Sequence, residues 1–320
     1  MRLTLTTLCA LAAFPVAGAP VLQTPIDCDV GETCYIQNYV DHTADKGYID
    51  FTCGPLSYDG HKGTDFALPT LQAMAQGVDV LAAAPGVVKG TRNDMRDQLL
   101  TKENADYVKG RDCGNGLVID HGDGWETQYC HLKQGSVQVT TGEVVATGQV
   151  LGHVGLSGRT QFPHLHISVR HKGRVVDPFS PNGSADTCGE SQNALWTDPL
   201  EYVPGGLIRA GFDTGIPDYA DVKSGAAGRA TIGFDADAMV VFAFGFGSRP
   251  GDRLDITITG PAGEILSTSV TLEKQQAQYF RAVGKRTPKR GWPKGAYTGE
   301  IKLLREGRIL DQTMTSLTVN

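Results

Sequence analysis

The stretches that decide this chain read GHKGTDF at residues 60–66 and PHLH at residues 163–166. Together they supply three imidazoles and one carboxylate, from His61, Asp65, His164 and His166. Three protein ligands of this kind leave the fourth tetrahedral position of a zinc ion to water, which is typical of catalytic rather than structural sites. Either stretch alone is better explained by polar surface or turn residues. The prediction of one zinc site therefore depends on the two stretches meeting in space.

Composition sets the broad class of the molecule. The chain has 320 residues, with 40 Gly, 16 Pro, a hydrophobic fraction of 40% and a net charge of −6. This length is enough for two domains with substantial cores. The many glycines and prolines favour turns and β-structure over helix bundles. Nucleic-acid binding is disfavoured as the main function, because a phosphate backbone attracts clustered Lys and Arg.

The N-terminus has the features of an export signal, which we assign to residues 1–19. Arg2 gives a positive start, Leu3–Phe14 is mostly apolar, and Ala17–Ala19 supplies small residues at a plausible cleavage site. The alternative of a membrane anchor is disfavoured because the apolar run is too short to span a bilayer, and no later segment is long enough. We expect an exported protein without a transmembrane segment, either periplasmic or secreted.

Cysteine usage agrees with export. One cysteine falls in the predicted signal, and an even number follows it: Cys28, Cys34, Cys53, Cys113, Cys130 and Cys188. Six cysteines in an oxidising compartment predict disulfides, although they allow 15 pairings. A predicted hairpin turning at residues 121–124 would bring Cys113 next to Cys130. The pairs Cys28–Cys34 and Cys53–Cys188 then follow only by elimination. A zinc cluster is the weaker alternative, since no Cys-x-x-Cys spacing occurs.

The chain divides into two predicted domains. Residues 20–205 form the first, with a core of short strands and turns at 55–180, and residues 206–217 are predicted to be a linker. Within the first domain, the polar stretch Thr91–Lys109 reads as a surface insertion, in which Leu99 and Leu100 would anchor a short helix. Residues 218–320 show period-two alternation, as in Phe242, Phe244 and Phe246, which predicts a small β-sandwich.

The candidate site residues differ in their predicted positions. His164 and His166 alternate with apolar residues, so on a strand both imidazoles project from one face. His61 and Asp65 stand among glycines, which places them on a loop or strand entry rather than a helix. A further imidazole, from His131, follows a predicted strand and would serve as a base or an oxyanion donor beside the metal. The residues themselves leave open which of His164 and His166 is a ligand.

At this point the sequence resembles a known family, the lysostaphin-type or LytM-like zinc metalloendopeptidases of bacterial cell walls. The resemblance covers Gly60–Asp177. It includes, besides the two opening stretches, GLVIDHG at residues 116–122 and YCHL at 129–132. In this order and spacing the motifs are specific together, although each is weak by itself.

The resemblance implies a fold, a cofactor and roles for the site residues. It implies that zinc is bound by His61, Asp65 and His166, and that His131 and His164 are the catalytic imidazoles. The implied fold is a duplicated hybrid motif of antiparallel sheets, similar to a barrel-sandwich hybrid. The implied reaction is hydrolysis of peptide bonds in peptidoglycan, with crosslinks between stem peptides as the first choice and glycine bridges as another.

Some residues depart from the family pattern and leave alternatives open. Gln161 and Phe162 stand where a Thr-Gly pair is common, and Ser168 replaces a frequent Glu. We expect Phe162 to narrow or redirect the substrate groove. An inactive wall-binding regulator on the same fold is the competing interpretation. The C-terminal sandwich resembles an immunoglobulin-like module that would contact the wall or a protein partner, or only stabilise the enzyme.

Overall fold

The computed structural model describes residues 18–184, 187–189 and 193–320. The predicted export signal lies outside the described residues except for its last two positions. Among the described residues, no helix has the length and apolar character needed to cross a membrane.

The first part of the chain forms one large sheet and a small one. In chain order its elements are β1 (Tyr35–Asn38), β2 (Thr64–Ala67), α1 (Leu71–Gln76), β3 (Asp79–Leu81), β4 (Gly86–Arg92), α2 (Ala105–Val108), β5 (Asn115–Gly122), β6 (Trp125–Leu132), β7 (Val144–Val145), β8 (Val150–His153), β9 (His164–His171) and β10 (Arg174–Val176). The eight-stranded sheet has the order β1-β2-β9-β6-β5-β4-β7, with β10 paired to β9, and β3 pairs β8 separately. Its pairings are antiparallel, which confirms the predicted mainly β class.

Local sequence explains why these strands form. The apolar residues Leu165, Ile167 and Val169 of β9 are fully buried, as the period-two pattern predicts. The hairpin between β5 and β6 turns through Asp123 and Gly124, both with positive φ, where the sequence predicts a turn. This alternation directs one face of the sheet into a continuous apolar core.

The polar insertion differs from its prediction in one respect. Its helix, α2, begins at Ala105 and does not include Leu99 or Leu100, so the expectation of a helix anchored by these leucines is wrong. Both leucines are half-buried in extended chain instead, and the backbone N–H of Leu100 donates to the carbonyl of Thr160. The insertion is therefore attached to the loop that precedes β9.

The predicted disulfides are confirmed. Cys113 pairs with Cys130, and the other two bridges are Cys28–Cys34 and Cys53–Cys188. The Cys113–Cys130 bridge joins the segment just before β5 to the neighbouring strand β6, and its second cysteine directly precedes His131.

The second part of the chain forms two sheets around a separate core. Its elements are β11 (Gly206–Asp213), α3 (Tyr219–Ser224), β12 (Thr231–Ile232), β13 (Ala238–Ser248), β14 (Asp252–Gly260), β15 (Gly263–Leu272), β16 (Gln276–Arg286), β17 (Gly295–Arg305) and β18 (Arg308–Val319). One sheet has the order β11-β13-β16 and the other β12-β18-β17-β14-β15. Both contribute buried side chains to one core.

The stretch predicted to be a linker contains the first strand of this sandwich. Residues 206–213 pair with β13 along their whole length. Two of the glycines in this stretch, Gly206 and Gly211, lie close to aromatic rings. A Cβ at Gly211 would lie 2.8 Å from the ring of Phe242, so only glycine fits this place in the sheet.

The contacts between the two parts of the chain include two regions. At the first, Gln37 Nε2 donates to the carbonyl of Ala277 over 2.7 Å, and the rings of Tyr35 and Phe246 lie 4.6 Å apart. At the second, α3 packs near α1, and a Cβ at Gly225 would meet the side chain of Gln72 at 2.7 Å. Helix α3 is thus held against the rim of the first part.

Candidate metal centre and active site

Three side chains converge as a metal site requires. His61 Nε2 lies 3.2 Å from Asp65 Oδ1 and 3.1 Å from His166 Nδ1, and Asp65 Oδ1 lies 2.8 Å from His166 Nδ1. Zinc bonds of about 2.0–2.1 Å at tetrahedral angles set neighbouring ligand atoms about 3.3 Å apart. The triangle of donor atoms is therefore close to one face of a zinc tetrahedron. His61, Asp65 and His166 can hold a metal ion together.

Strand pairing brings these groups together. Asp65 in β2 stands opposite His166 in β9 in the antiparallel register, although the two are 101 positions apart in sequence. His61 lies in the loop before β2, and its Nδ1–H donates to the carbonyl of Tyr39 over 2.7 Å. That hydrogen bond fixes the tautomer of His61, so its Nε2 lone pair faces the other two ligand atoms.

Glycine at position 63 is required by the close packing of this loop against β9. A Cβ there would lie 2.5 Å from the carbonyl oxygen of Ile167 and 2.6 Å from Nε2 of His166. Gly63 therefore lets the His61 loop approach the imidazole of His166 closely enough for both to reach one ion.

The electrostatics of Asp65 favour a bound cation. Its side chain is fully buried, and Asn38 Nδ2 donates to Oδ2 over 2.9 Å. Burial alone raises the pKa of Asp65, but the imidazoles of His61 and His164 and hydrogen bonds to the carboxylate lower this pKa well below its ordinary value. The carboxylate is thus ionised in the interior, where charges are paired or coordinate metals. The donor set and its charge both fit a divalent zinc ion.

The charge of His61 follows from the same neighbour. Burial lowers the pKa of His61, but the carboxylate of Asp65 and the hydrogen bonds of the ring act in the opposite direction, and the resulting pKa is raised. A cation in the site would replace this proton, because a ligating imidazole must be neutral.

Two further imidazoles lie beside the candidate ligands. The rings of His131 and His164 have centroids 4.6 Å apart, and His164 Nε2 lies 3.5 Å from Asp65 Oδ1. His131 Nδ1–H donates to the carbonyl of Ser157 over 2.8 Å, and His164 Nδ1–H donates to that of Phe162 over 2.9 Å. Each ring therefore keeps its Nε2 as a free base.

Burial keeps both of these imidazoles neutral. It lowers the pKa of His131 well below its ordinary value, and repulsion from His164 and His166 adds to the effect. Burial likewise lowers the pKa of His164, although the nearby carboxylate of Asp65 opposes this. Neutral imidazoles with a free Nε2 are suited to accept a proton from an attacking nucleophile.

The backbone of His131 is strained. Its φ of 64° lies in the left-handed region, which costs a residue with a Cβ of order 1–3 kcal/mol. Hydrogen bonds hold this conformation from both sides, from His131 N–H to the carbonyl of Cys113 and from Gly155 N–H to that of His131. The adjacent disulfide ties Cys113 to the residue before His131. Strain maintained in this way is common where a functional side chain must be aimed.

Sequence reasoning missed the residues that orient the imidazoles and the carboxylate. Asn38 is an ordinary strand residue by pattern, and the carbonyls of Tyr39, Ser157 and Phe162 act through the backbone, so no side-chain signal marks them. Tyr58 was also missed, and its ring stacks on that of His61 at 4.3 Å. Tyr58 stands just before the GHKGTDF stretch, which is the one local hint of its place.

Comparisons with known proteins find similarity over the part of the chain that carries this site. Residues 59–178 match the family described as Peptidase family M23, and this part of the chain includes every candidate metal ligand and catalytic imidazole of the site. The chain is 35% identical over 122 residues to the peptidoglycan DD-endopeptidase ShyA of Vibrio cholerae, covering 38% of this chain and 23% of that protein. It is 35% identical over 127 residues to the DD-carboxypeptidase/endopeptidase Mpg of Neisseria meningitidis, covering 38% and 22%. The chain thus spans less than a quarter of these relatives.

Solved structures that match part of this chain include two catalytic domains. One is that of the prophage-encoded M23 protein EnpA from Enterococcus faecalis, with 26% identity and a TM-score of 0.31, covering 45% of this chain and 92% of that one. The other is that of lysostaphin from Staphylococcus simulans, with 20% identity and a TM-score of 0.29, covering 44% and 85%.

Proposed function

We propose that this chain is an exported zinc metalloendopeptidase that hydrolyses peptide bonds of bacterial peptidoglycan. The observation that carries the proposal is the convergence of His61, Asp65 and His166 on one point, with His131 and His164 beside it. The M23 match over the same residues supports the peptidase assignment. We assign the metal to the first three residues and the catalytic roles to the other two.

Zinc, when bound, supplies a Lewis acid that polarises the scissile carbonyl and activates water at neutral pH. The imidazoles of the chain do the rest of the chemistry. One of His131 and His164 takes a proton from the attacking water at its free Nε2. The other, protonated at Nε2 from solvent as the oxyanion forms, holds that oxyanion by a hydrogen bond, and the first imidazole passes its proton to the nitrogen of the leaving amine. Hydrogen bonds to the carbonyls of Ser157 and Phe162 keep both rings aimed during these steps.

We assign the substrate from the relatives. Two of them are named for action as DD-endopeptidases or DD-carboxypeptidases, which favours crosslinks between stem peptides as the bonds cleaved. Peptidoglycan lies outside the cytoplasmic membrane, so we also propose export by the N-terminal signal to the periplasm or the medium. The three disulfides of the chain fit an oxidising compartment.

The alternative function is that of an inactive wall-binding regulator. It is disfavoured because the ligand set is complete and both candidate catalytic imidazoles are present and neutral. A regulator that has lost catalysis needs none of these features in working geometry.

The test compares two variants of the purified protein. His61→Ala should lose zinc and turnover together, because it removes a ligand. His131→Ala should keep its zinc and lose turnover by at least about 100-fold, the scale of general acid–base catalysis. Zinc is measured by atomic absorption, and turnover by mass spectrometry of fragments released from purified cell wall, with and without a chelator.

A control variant distinguishes the loss of an imidazole at the site from the loss of an imidazole elsewhere in the protein. His153→Ala removes a half-exposed histidine that pairs with Asp79 away from the site, and it should change neither zinc content nor turnover. Full activity of His61→Ala or His131→Ala would end the assignment. Wild-type protein that binds zinc and releases no fragments would favour the regulator instead.

A further inference from the structure

A groove lies between the two parts of the chain, directly beside the candidate catalytic site. Its volume is about 250 Å³, which is roughly eight times the volume of a water molecule in the liquid. Most of its wall is apolar, and the side chains that matter are Leu68, Leu71, Leu99, Phe162, Ala220 and Phe244. A groove of this size and lining accepts an aliphatic side chain of several carbons.

Phe162 joins this groove to the catalytic imidazoles. Its ring stacks on that of His164 with centroids 4.3 Å apart, and its carbonyl accepts the Nδ1–H of the same imidazole. The next residue, Pro163, lines the groove and precedes β9. The groove therefore adjoins the imidazole of His164 through Phe162 and Pro163.

The outer wall of the groove comes from two additions to the peptidase core. One is the insertion, which contributes Leu99 and is attached by the hydrogen bond of Leu100 to Thr160. The other is α3 of the C-terminal sandwich, which contributes Ala220 and is fixed by the packing of Gly225 against Gln72. Both walls are attached to the core, so the groove has a defined shape before a ligand arrives.

The rim of the groove carries no excess of either charge. Asp221 and Lys223 lie at its mouth with opposite signs, and Lys223 Nζ is 5.0 Å from the centre of the Tyr219 ring. A rim of this kind does not select an anion or a cation. Selection by the groove therefore depends on apolar burial, which favours an aliphatic chain.

We infer that this groove is a substrate subsite, and that it receives an aliphatic side chain of the cell-wall peptide next to the scissile bond. The inference rests on the proposed function and extends it. The C-terminal sandwich then acts as a specificity element of the peptidase through α3. Its first role is to shape the site, rather than to anchor the enzyme to the wall at a distance.

The experiment uses one substitution that fills the groove and one that makes it polar, and neither changes a residue of the metal site. Ala220→Trp replaces an exposed alanine of α3 by a ring large enough to occupy the groove, and Leu99→Asp places a charge on the part of the wall that the insertion contributes. Each should raise KM for a purified crosslinked muropeptide dimer by at least about tenfold, the lower end of what one methylene is worth in a hydrophobic pocket. The value of kcat should stay within about twofold, because the groove binds ground state and transition state alike.

The matched control is Ala226→Trp, the same change at an exposed alanine just beyond α3 that does not line the groove. It should leave KM unchanged. Zinc content and the thermal unfolding midpoint verify that each variant is folded. Calorimetric binding of the same dimer gives a readout that does not require turnover.

Three results would overturn the inference. The first is a KM that stays within twofold of wild type in both Ala220→Trp and Leu99→Asp. The second is an equal rise of KM in the control. The third is an unchanged KM with a changed sedimentation coefficient, which would assign the groove to a second copy of the chain. Absence of turnover in wild type would count against the proposed function instead, while calorimetry still compares the variants.

Discussion

Replacement of Asn38 by Leu tests whether the carboxylate of Asp65 is held in place for a metal. Asn38 ends β1 and stands opposite Asp65 in β2, with its Nδ2 2.9 Å from Oδ2 of the carboxylate. This hydrogen bond leaves Oδ1 facing the imidazoles of His61 and His166. Leu has the same number of side-chain heavy atoms as Asn and the same branch point at Cγ, but no donor. The variant therefore removes one hydrogen bond and little packing.

The expected magnitude follows from burial and from the role of Asn38 next to a ligand. Asn38 is 6% exposed and Asp65 1%, so water does not replace the lost donor. Loss of a partner that orients a ligand typically reduces metal affinity about 10- to 100-fold. That change corresponds to about 1.4–2.7 kcal/mol. The unpaired carboxylate oxygen should also lower the stability of the zinc-free protein by about 1–3 kcal/mol.

The assay is competition for zinc against a chelator of known affinity at pH 7.5, combined with urea unfolding of the zinc-free protein. Asn93→Leu is the matched control. Asn93 is a half-buried amide that forms hydrogen bonds with both backbone groups of Val137, away from the site. It should lose stability and keep its zinc affinity. Zinc affinity of Asn38→Leu within twofold of wild type would refute the reasoning, as would an equal loss in the control.

Three further predictions concern the loop, the imidazoles and the disulfide at the site. Gly63→Ala should cost about 1–3 kcal/mol in unfolding free energy and reduce zinc content, because its Cβ overlaps a backbone carbonyl and an imidazole; unaltered zinc binding would contradict this. The pKa values of His131 and His164 are lowered on folding, so between pH 7.5 and 5.5 the unfolded chain gains protons that the folded one does not. The unfolding free energy of the zinc-free wild type should therefore fall with decreasing pH below pH 6.5, by up to about 1.4 kcal/mol per pH unit more than that of His131→Gln. Urea unfolding measures both, and parallel pH profiles would refute the prediction. Replacing Cys113 and Cys130 by Ser should lower the unfolding free energy by about 3 kcal/mol, the value for a loop of this size. Turnover should also fall, because the bridge helps to hold the backbone conformation of His131. An unchanged rate would show that the bridge does not support the site.

Local patterns predicted much of the fold. The alternation of apolar residues predicted β9 and the sandwich strands, and the glycines around Asp123 predicted the hairpin. The predicted hairpin in turn predicted the Cys113–Cys130 pairing, which the structure confirms. Composition led to the wrong prediction at residues 206–213, because it does not distinguish glycines that pack against aromatic rings in a strand from glycines in a flexible linker.

The sequence by itself determined the inventory of the site and the local directions of its side chains. His164 and His166 lie on one strand because period two places alternate residues on one face, and this follows from local backbone geometry. The tertiary structure decided which groups meet. The antiparallel register of β2 and β9 sets Asp65 against His166, and the loop before β9 brings the carbonyl of Ser157 to His131. Such contacts depend on the pairing of segments far apart in the chain, which no local pattern specifies. The same long-range packing sets α3 of the second part beside the groove.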